Sequence, residues 1–212
     1  SRGLGDVYKR QVYKRYLKFT PNAREDFLDM LQEIGNWKEA IYQLHNMVKD
    51  KTYLSSRGTS KEGMWLSIGD ICSKYADKLT NNDNDDNNQK ILPVAILKEG
   101  IECSETNKGR LWCSLANYYA RLGDFEEAEK TYEDAIKSVV SAKDFSIVFD
   151  SYIKLEETII SAELDFGDDD DDDEEEEEEE ENVDSKMDRL ENLLNRREKM
   201  LNEVCLLYTS PS

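Results

Sequence analysis

Two six-residue stretches of this chain align with each other, and each reads as the place where one helix stops and the next begins. Gly35-Asn36-Trp37-Lys38-Glu39-Ala40 lines up with Gly123-Asp124-Phe125-Glu126-Glu127-Ala128. The glycine suits a left-handed C-terminal stop. The Asn or Asp after it can accept a hydrogen bond from a free N–H of the new helix, and the Glu three positions later can reach back. A link this short forces two helices to fold back antiparallel. The flanks match as well: Phe27, Leu31 and Ile34 align with Leu115, Tyr119 and Leu122, and Leu44 and Val48 with Tyr132 and Ile136. A weaker copy sits at Leu97 and Ile101, 35 residues before Tyr132 and Ile136. That offset is close to the roughly 34-residue period of tetratricopeptide-like helix pairs.

A helix pair with one apolar face cannot bury that face alone, and stacking the next pair covers it. The predicted fold class is therefore all-α, a superhelical solenoid of antiparallel helix pairs. Apolar residues return at spacings of three and four, with no sustained period-two pattern. Helices are predicted at about Val12–Phe19, Ala23–Ile34, Trp37–Lys51, Glu62–Leu79, Leu92–Cys103, Lys108–Leu122, Phe125–Val140, Phe145–Leu164 and Ser185–Val204. The residues expected to pack the repeats are Trp37, Ala40, Trp65, Trp112, Leu115, Tyr119, Ala128, Tyr132, Ala135, Phe149 and Tyr152. The alanines let backbones approach, and the aromatics fill the space between helices.

Charge divides the chain further. The net charge is −19, and Asp168–Glu181 is an unbroken run of acidic residues that supplies most of it. The remainder is mildly acidic, which argues against a broad nucleic-acid or anionic-membrane surface. The run is expected to remain solvated and self-repelling. The opening SRGLGDVYKRQ and the closing CLLYTSPS continue neither neighbour's pattern and resemble translated sequencing-adapter sequence. The expected organisation is a foreign leader (1–11), a helical-repeat array (12–164), an acidic insert (165–182), a further repeat helix (183–204) and a foreign tail (205–212). Cys72, Cys103, Cys113 and Cys205 form no C-x-x-C pair. No apolar run approaches a membrane span, and neither a signal peptide nor an N-x-[ST] sequon is seen. A reducing intracellular compartment is the expectation.

Specific motifs point to a family. Trp112 in its helix and Tyr132-Glu133-Asp134-Ala135-Ile136 in the next resemble HAT repeats, the half-a-TPR units of RNA-processing proteins. Five elements occur in order: Val12–Phe19; Arg24-Glu25-Asp26-Phe27; Ser60-Lys61-Glu62-Gly63 with Trp65; Leu111–Ala128; and Lys143-Asp144-Phe145 with Val148–Tyr152. This set resembles the HAT-repeat pre-mRNA splicing factors of the SYF-one, or XPA-binding protein two, family. The terminal RLENLLNRREKMLNEV is similar to the segment that follows an acidic insert there. The resemblance covers nearly all of Val12–Val204 and implies an internal fragment of a nuclear, non-catalytic scaffold of the spliceosome-associated nineteen complex. Its partners would be other splicing-complex proteins, with at most a minor or indirect RNA contact, no membrane and no small-molecule substrate. In animals the family is also tied to transcription-coupled repair. The Asn/Asp-rich Asn81–Gln89 and the pure-acid tract depart from the family pattern.

The residues that could carry chemistry are few. His45 is the one histidine, mid-helix on a mixed face, and reads as a surface or groove residue. Asp83–Asn87 faintly resembles a calcium loop but lacks Gly at the sixth position and Glu at the twelfth. No phosphate-binding glycine loop is present. Neither a catalytic, a cofactor nor a metal site is assigned, and no cofactor is expected. Arg189, Arg196, Arg197 and Lys199 form the one dense basic group, placed to meet RNA or to answer the acidic tract. A different class of function remains open, a generic TPR-like adaptor or a histone-binding chaperone that works through its acidic tract.

Overall fold

Glycine with a positive φ appears at both matched turns. Gly35 and Gly123 each adopt φ 79° in the computed structural model of the chain. The structure describes residues 2–20, 23–80, 92–166, 187–200 and 202, and every regular element among them is helical. The element order is α1 (Arg2–Tyr16), α2 (Arg24–Ile34), α3 (Trp37–Lys49), α4 (Lys61–Lys74), α5 (Ala76–Thr80), α6 (Pro93–Cys103), α7 (Lys108–Arg121), α8 (Phe125–Ser138) and α9 (Ala142–Phe166). Residues 187–200 form α10. Asn81–Gln89, the acidic run Asp168–Glu181 and Cys205 lie outside the described residues.

The two turns are built alike. Asn36 N–H donates to the Leu31 carbonyl at 2.9 Å, and Asp124 N–H donates to the Tyr119 carbonyl at 3.1 Å. These are the long-range bonds of the glycine stop. Each side chain then caps the following helix: Glu39 N–H donates to Asn36 Oδ1 at 3.2 Å and Glu127 N–H to Asp124 Oδ1 at 3.3 Å. The reciprocal half of the expected capping box is not made, because the preceding helix has already taken the Asn36 and Asp124 N–H groups. The Glu39 carboxylate accepts from Gln43 Nε2 at 2.9 Å and pairs with Lys14 Nζ at 3.2 Å.

Two predicted elements differ. The stretch expected as one helix from Glu62 to Leu79 is interrupted at Tyr75 (φ −123°, ψ 30°), which separates α4 from α5. The Tyr75 ring lies flat on Trp37, with centroids 3.7 Å apart and planes 9° apart. The opening, read as non-helical, is part of α1, whose helix runs on from Arg2. Helical backbone there brings no burial at Val7 or Tyr8, both of which are exposed. Local hydrogen bonding is enough for a helix end, and an apolar period is needed only for packing.

The chain folds as two compact units, Ser1–Thr131 and Tyr132–Ser212, with the boundary inside α8. In the first unit α1 packs on α2, α2 on α3 and α3 on α4, while α4 meets both α6 and α7, and α6 meets α7. Phe27, Met30, Leu31 and Ala40 make a small core between α2 and α3. A larger core joins Ile41, Leu44 and Met47 of α3 to Trp65 and Ile68 of α4, Leu97 of α6, and Leu111 and Leu115 of α7. The core is thus a thin strip carried from pair to pair, as expected for a stack of repeats. In the second unit Tyr132, Ala135, Phe149 and Tyr152 are buried, and the Tyr132 and Tyr152 rings stack at 5.0 Å.

Candidate interaction surface

Two mid-helix glycines decide how closely the central helices approach. A Cβ on Gly100 of α6 would stand 2.8 Å from Trp65 Cε3, so the indole lies directly on the α6 backbone. A Cβ on Gly69 of α4 would stand 2.8 Å from Ser114 Oγ of α7. The expected small contacts were the alanines, and Ala40, Ala128 and Ala135 are indeed fully buried. The glycines escaped notice, although an isolated Gly inside a helical pattern is itself a sign of close backbone approach.

The other packing candidates fall into two groups. Trp65, Leu115, Tyr132, Phe149 and Tyr152 are buried. Trp37, Trp112 and Tyr119 are half-buried against the larger core of the first unit. The indole N–H groups of Trp37 and Trp112 are buried without a hydrogen-bond acceptor among the described residues.

The links between helix pairs are held by carboxylates. Glu25, buried in the first turn of α2, accepts hydrogen bonds from the Ser55 and Ser56 hydroxyls. Burial raises its pKa, but those hydroxyls and the Arg57 charge outweigh burial and leave it below the usual range. Arg57 reaches onward to Asp26 Oδ1 at 3.0 Å and Asp29 Oδ2 at 2.6 Å. Arg24 donates to Asp50 Oδ2 at 2.9 Å. The Asp50 carboxyl is drawn down to about 2, first by the Thr52 hydroxyl and then by Arg24.

The next link repeats the device. Ser60 caps α4 by accepting from Gly63 N–H at 3.0 Å. Glu62 accepts from the Thr106 hydroxyl at 2.6 Å and from the Thr106 and Glu105 N–H groups at 3.1 and 3.3 Å. Those bonds hold its carboxyl below the ordinary range. The quoted motifs Arg24-Glu25-Asp26-Phe27 and Ser60-Lys61-Glu62-Gly63 are thus helix starts that clamp a neighbouring link. Their partners, Ser55, Ser56, Arg57 and Thr106, sit in loops without periodicity and carried no signal of their own.

His45 also joins helices. Its Nε2 lies 2.8 Å from Glu99 Oε2, and Lys49 Nζ lies 3.0 Å from Glu99 Oε1, so α3 and α6 are tied through one carboxylate. Burial pushes the Glu99 carboxyl up, and the bonds from His45 and Lys49 more than reverse it. Cys72 is buried, and burial pushes its thiol up to about 12, which suits a packing residue rather than a nucleophile. Cys113 is buried and Cys103 exposed. Among the described residues no group of three or more His, Cys, Asp or Glu could hold a metal ion. No described helix is long and apolar enough to cross a membrane.

Three arginines of the α10 basic group meet carboxylates of α8 and α9. Arg189 pairs with Glu156 at 2.6 Å, Arg196 with Glu133 at 3.1 Å and Arg197 with Asp150 at 2.6 Å. The matching carboxylates are 33 to 63 residues away in sequence, on α8 and α9. The most exposed large apolar side chains among the described residues are Val140 (99% exposed) in the second unit and Leu54 (87%) and Phe19 (86%) in the links of the first.

Stacked helix pairs with glycine-stopped turns and carboxylate-tied links define a class, the helical-repeat proteins. The comparison with known families narrows this. Residues 24–210 match the family described as pre-mRNA-splicing factor SYF1, middle HAT repeat, and the chain belongs to that family. The matched range takes in residues 205–210, which the sequence pattern had set apart, and leaves out 1–23. Pre-mRNA-splicing factor SYF1 of Homo sapiens is 34% identical over 194 residues, covering 92% of this chain and 21% of that protein. The protein of the same name from Dictyostelium discoideum is 33% identical over 196 residues, covering 92% of this chain and 22% of that protein. Pre-mRNA-splicing factor cwf3 of Schizosaccharomyces pombe is 28% identical over 203 residues, covering 96% and 24%. The chain spans about a fifth of the length of these relatives.

Proposed function

We propose that this chain is part of a nuclear, non-catalytic scaffold that braces other splicing-complex proteins during pre-mRNA splicing. The observation that carries the reading is the repeat array of the first unit. Its helices pass a thin core from pair to pair and leave their outer faces and links available, which suits contact with several partners at once. The relatives, all named as pre-mRNA-splicing factors, support the same reading. The arrangement of the candidate chemistry supports the absence of turnover. His45 is engaged between helices, and the Cys72 thiol is held protonated by burial.

Depleting the full-length protein should cause intron retention across many transcripts. A version disrupted at its helix-pair packing should fail to rescue, while one lacking only Asp168–Glu181 should rescue largely. Normal splicing after thorough depletion would defeat the proposal. Copurification with histones and no splicing proteins would defeat it too, and would favour a chaperone that works through its acidic tract.

A further inference from the structure

The helix α10 is attached to the second unit mainly by charge. Leu193 is 5% exposed and Leu190 and Met200 are half-buried, while Met187 and Leu194 are about half exposed. One fully buried leucine and two half-buried side chains offset only part of the entropy lost when the backbone of 187–200 is ordered. Helical hydrogen bonds offset part of that cost, but apolar docking of this size cannot hold a helix in place alone.

The arginines supply the rest. Arg189, Arg196 and Arg197 are spaced so that they share one side of the helix. They face Glu156 and Asp150 of α9 and Glu133 of α8. Arg196 bridges both Glu133 oxygens at 3.1 Å, and Arg189 also donates to the Tyr152 hydroxyl at 3.3 Å. The two outer pairs are partly exposed on both members, so dissolved ions reach them. Glu156 is 1% exposed and lies 2.6 Å from Arg189.

We infer that α10 is a detachable strap, held on the α8–α9 face by its arginines and released by salt while the first unit stays folded. Release uncovers Glu133, Asp150 and Glu156 together, so the strap governs access to a carboxylate-lined face. The inference concerns the second unit alone and does not depend on the splicing role.

Hydrogen exchange on the full chain tests it. Raising salt from about 0.05 M to about 1 M shortens the screening length to about 3 Å. The amides of 187–200 should then exchange at least about ten-fold faster, while those of α4 and α7 change little. The double variant Arg196→Gln/Arg197→Gln should show the fast exchange already at low salt. Protection of 187–200 that responds neither to salt nor to the double substitution would overturn the strap. Equal acceleration in α4 and α7 would overturn it as well, since α10 would then open only with global unfolding.

Discussion

Trp65 and Gly100 show how one large and one absent side chain fix a helix crossing. Gly100→Ala adds a methyl 2.8 Å from a rigid indole carbon, so something must move. Alanine improves helix propensity by about 1 kcal/mol, while overpacking costs about 1–3 kcal/mol. The variant should be less stable, with a lower urea midpoint, and Trp65→Leu in the same chain should recover part of the loss from the added methyl. A gain in stability on Gly100→Ala would show that the indole yields easily. Tyr132 tests the second unit in the same way. It is fully buried and stacked on Tyr152, whose own hydroxyl burial pushes up to about 12. Tyr132→Ala should cost about 3–5 kcal/mol, as for other large core aromatics. Thermal melting that hardly changes would count against its place in the core.

The paired helices depend on their turns, and the two matched turns make a controlled comparison. At φ 79° an L side chain is strained, by roughly 1–2 kcal/mol. Gly35→Ala and Gly123→Ala should each lose about that much in chemical denaturation. Neither site adds a clash: nothing stands within 4 Å of a Cβ at Gly123, and only Trp37 Nε1, at 3.8 Å, at Gly35. A loss at one site and none at the other would mean that the turns are not equivalent. The Asn36→Ala and Asp124→Ala variants should cost about 1 kcal/mol each through the lost cap. Glu39→Ala should act through Lys14 and Gln43 instead, because no bond to the Asn36 N–H is available to lose.

For the chain as a whole, acid is the condition that reaches every link at once. Glu25, Asp50, Glu62 and Glu99 all have folded pKa values below their ordinary ones. A depressed carboxyl favours the folded state when ionised, so its contribution is complete above the unfolded pKa and fades as pH falls toward the folded value. The melting temperature should therefore be steady from about pH 7 to about pH 5 and drop between about pH 4.5 and pH 2. The Glu25→Gln/Glu62→Gln variant should start lower and show a shallower drop. An unchanged slope would mean that other carboxyls carry the acid response.

Much of this protein could be read from residue order alone, because the relevant forces act within a few positions along the chain. Helical period, glycine stops, Asn and Asp caps and the recurrence of the pair are local, and they led to the fold class, while the ordered motifs carried the resemblance to the family. The break at Tyr75 was not legible, since the partner of its ring is Trp37 on another helix. The same holds for Glu25 with Ser55 and Ser56, Glu62 with Thr106, and His45 with Glu99. Nothing in the sequence near either member of such a pair records the other. The arginines of α10 make the point most plainly. Their clustering near the last predicted helix was visible, but RNA, the acidic tract and the α8–α9 carboxylates are all chemically suitable partners. Electrostatic attraction is not specific to sequence distance, so it is folding that brings Glu133, Asp150 and Glu156 within reach.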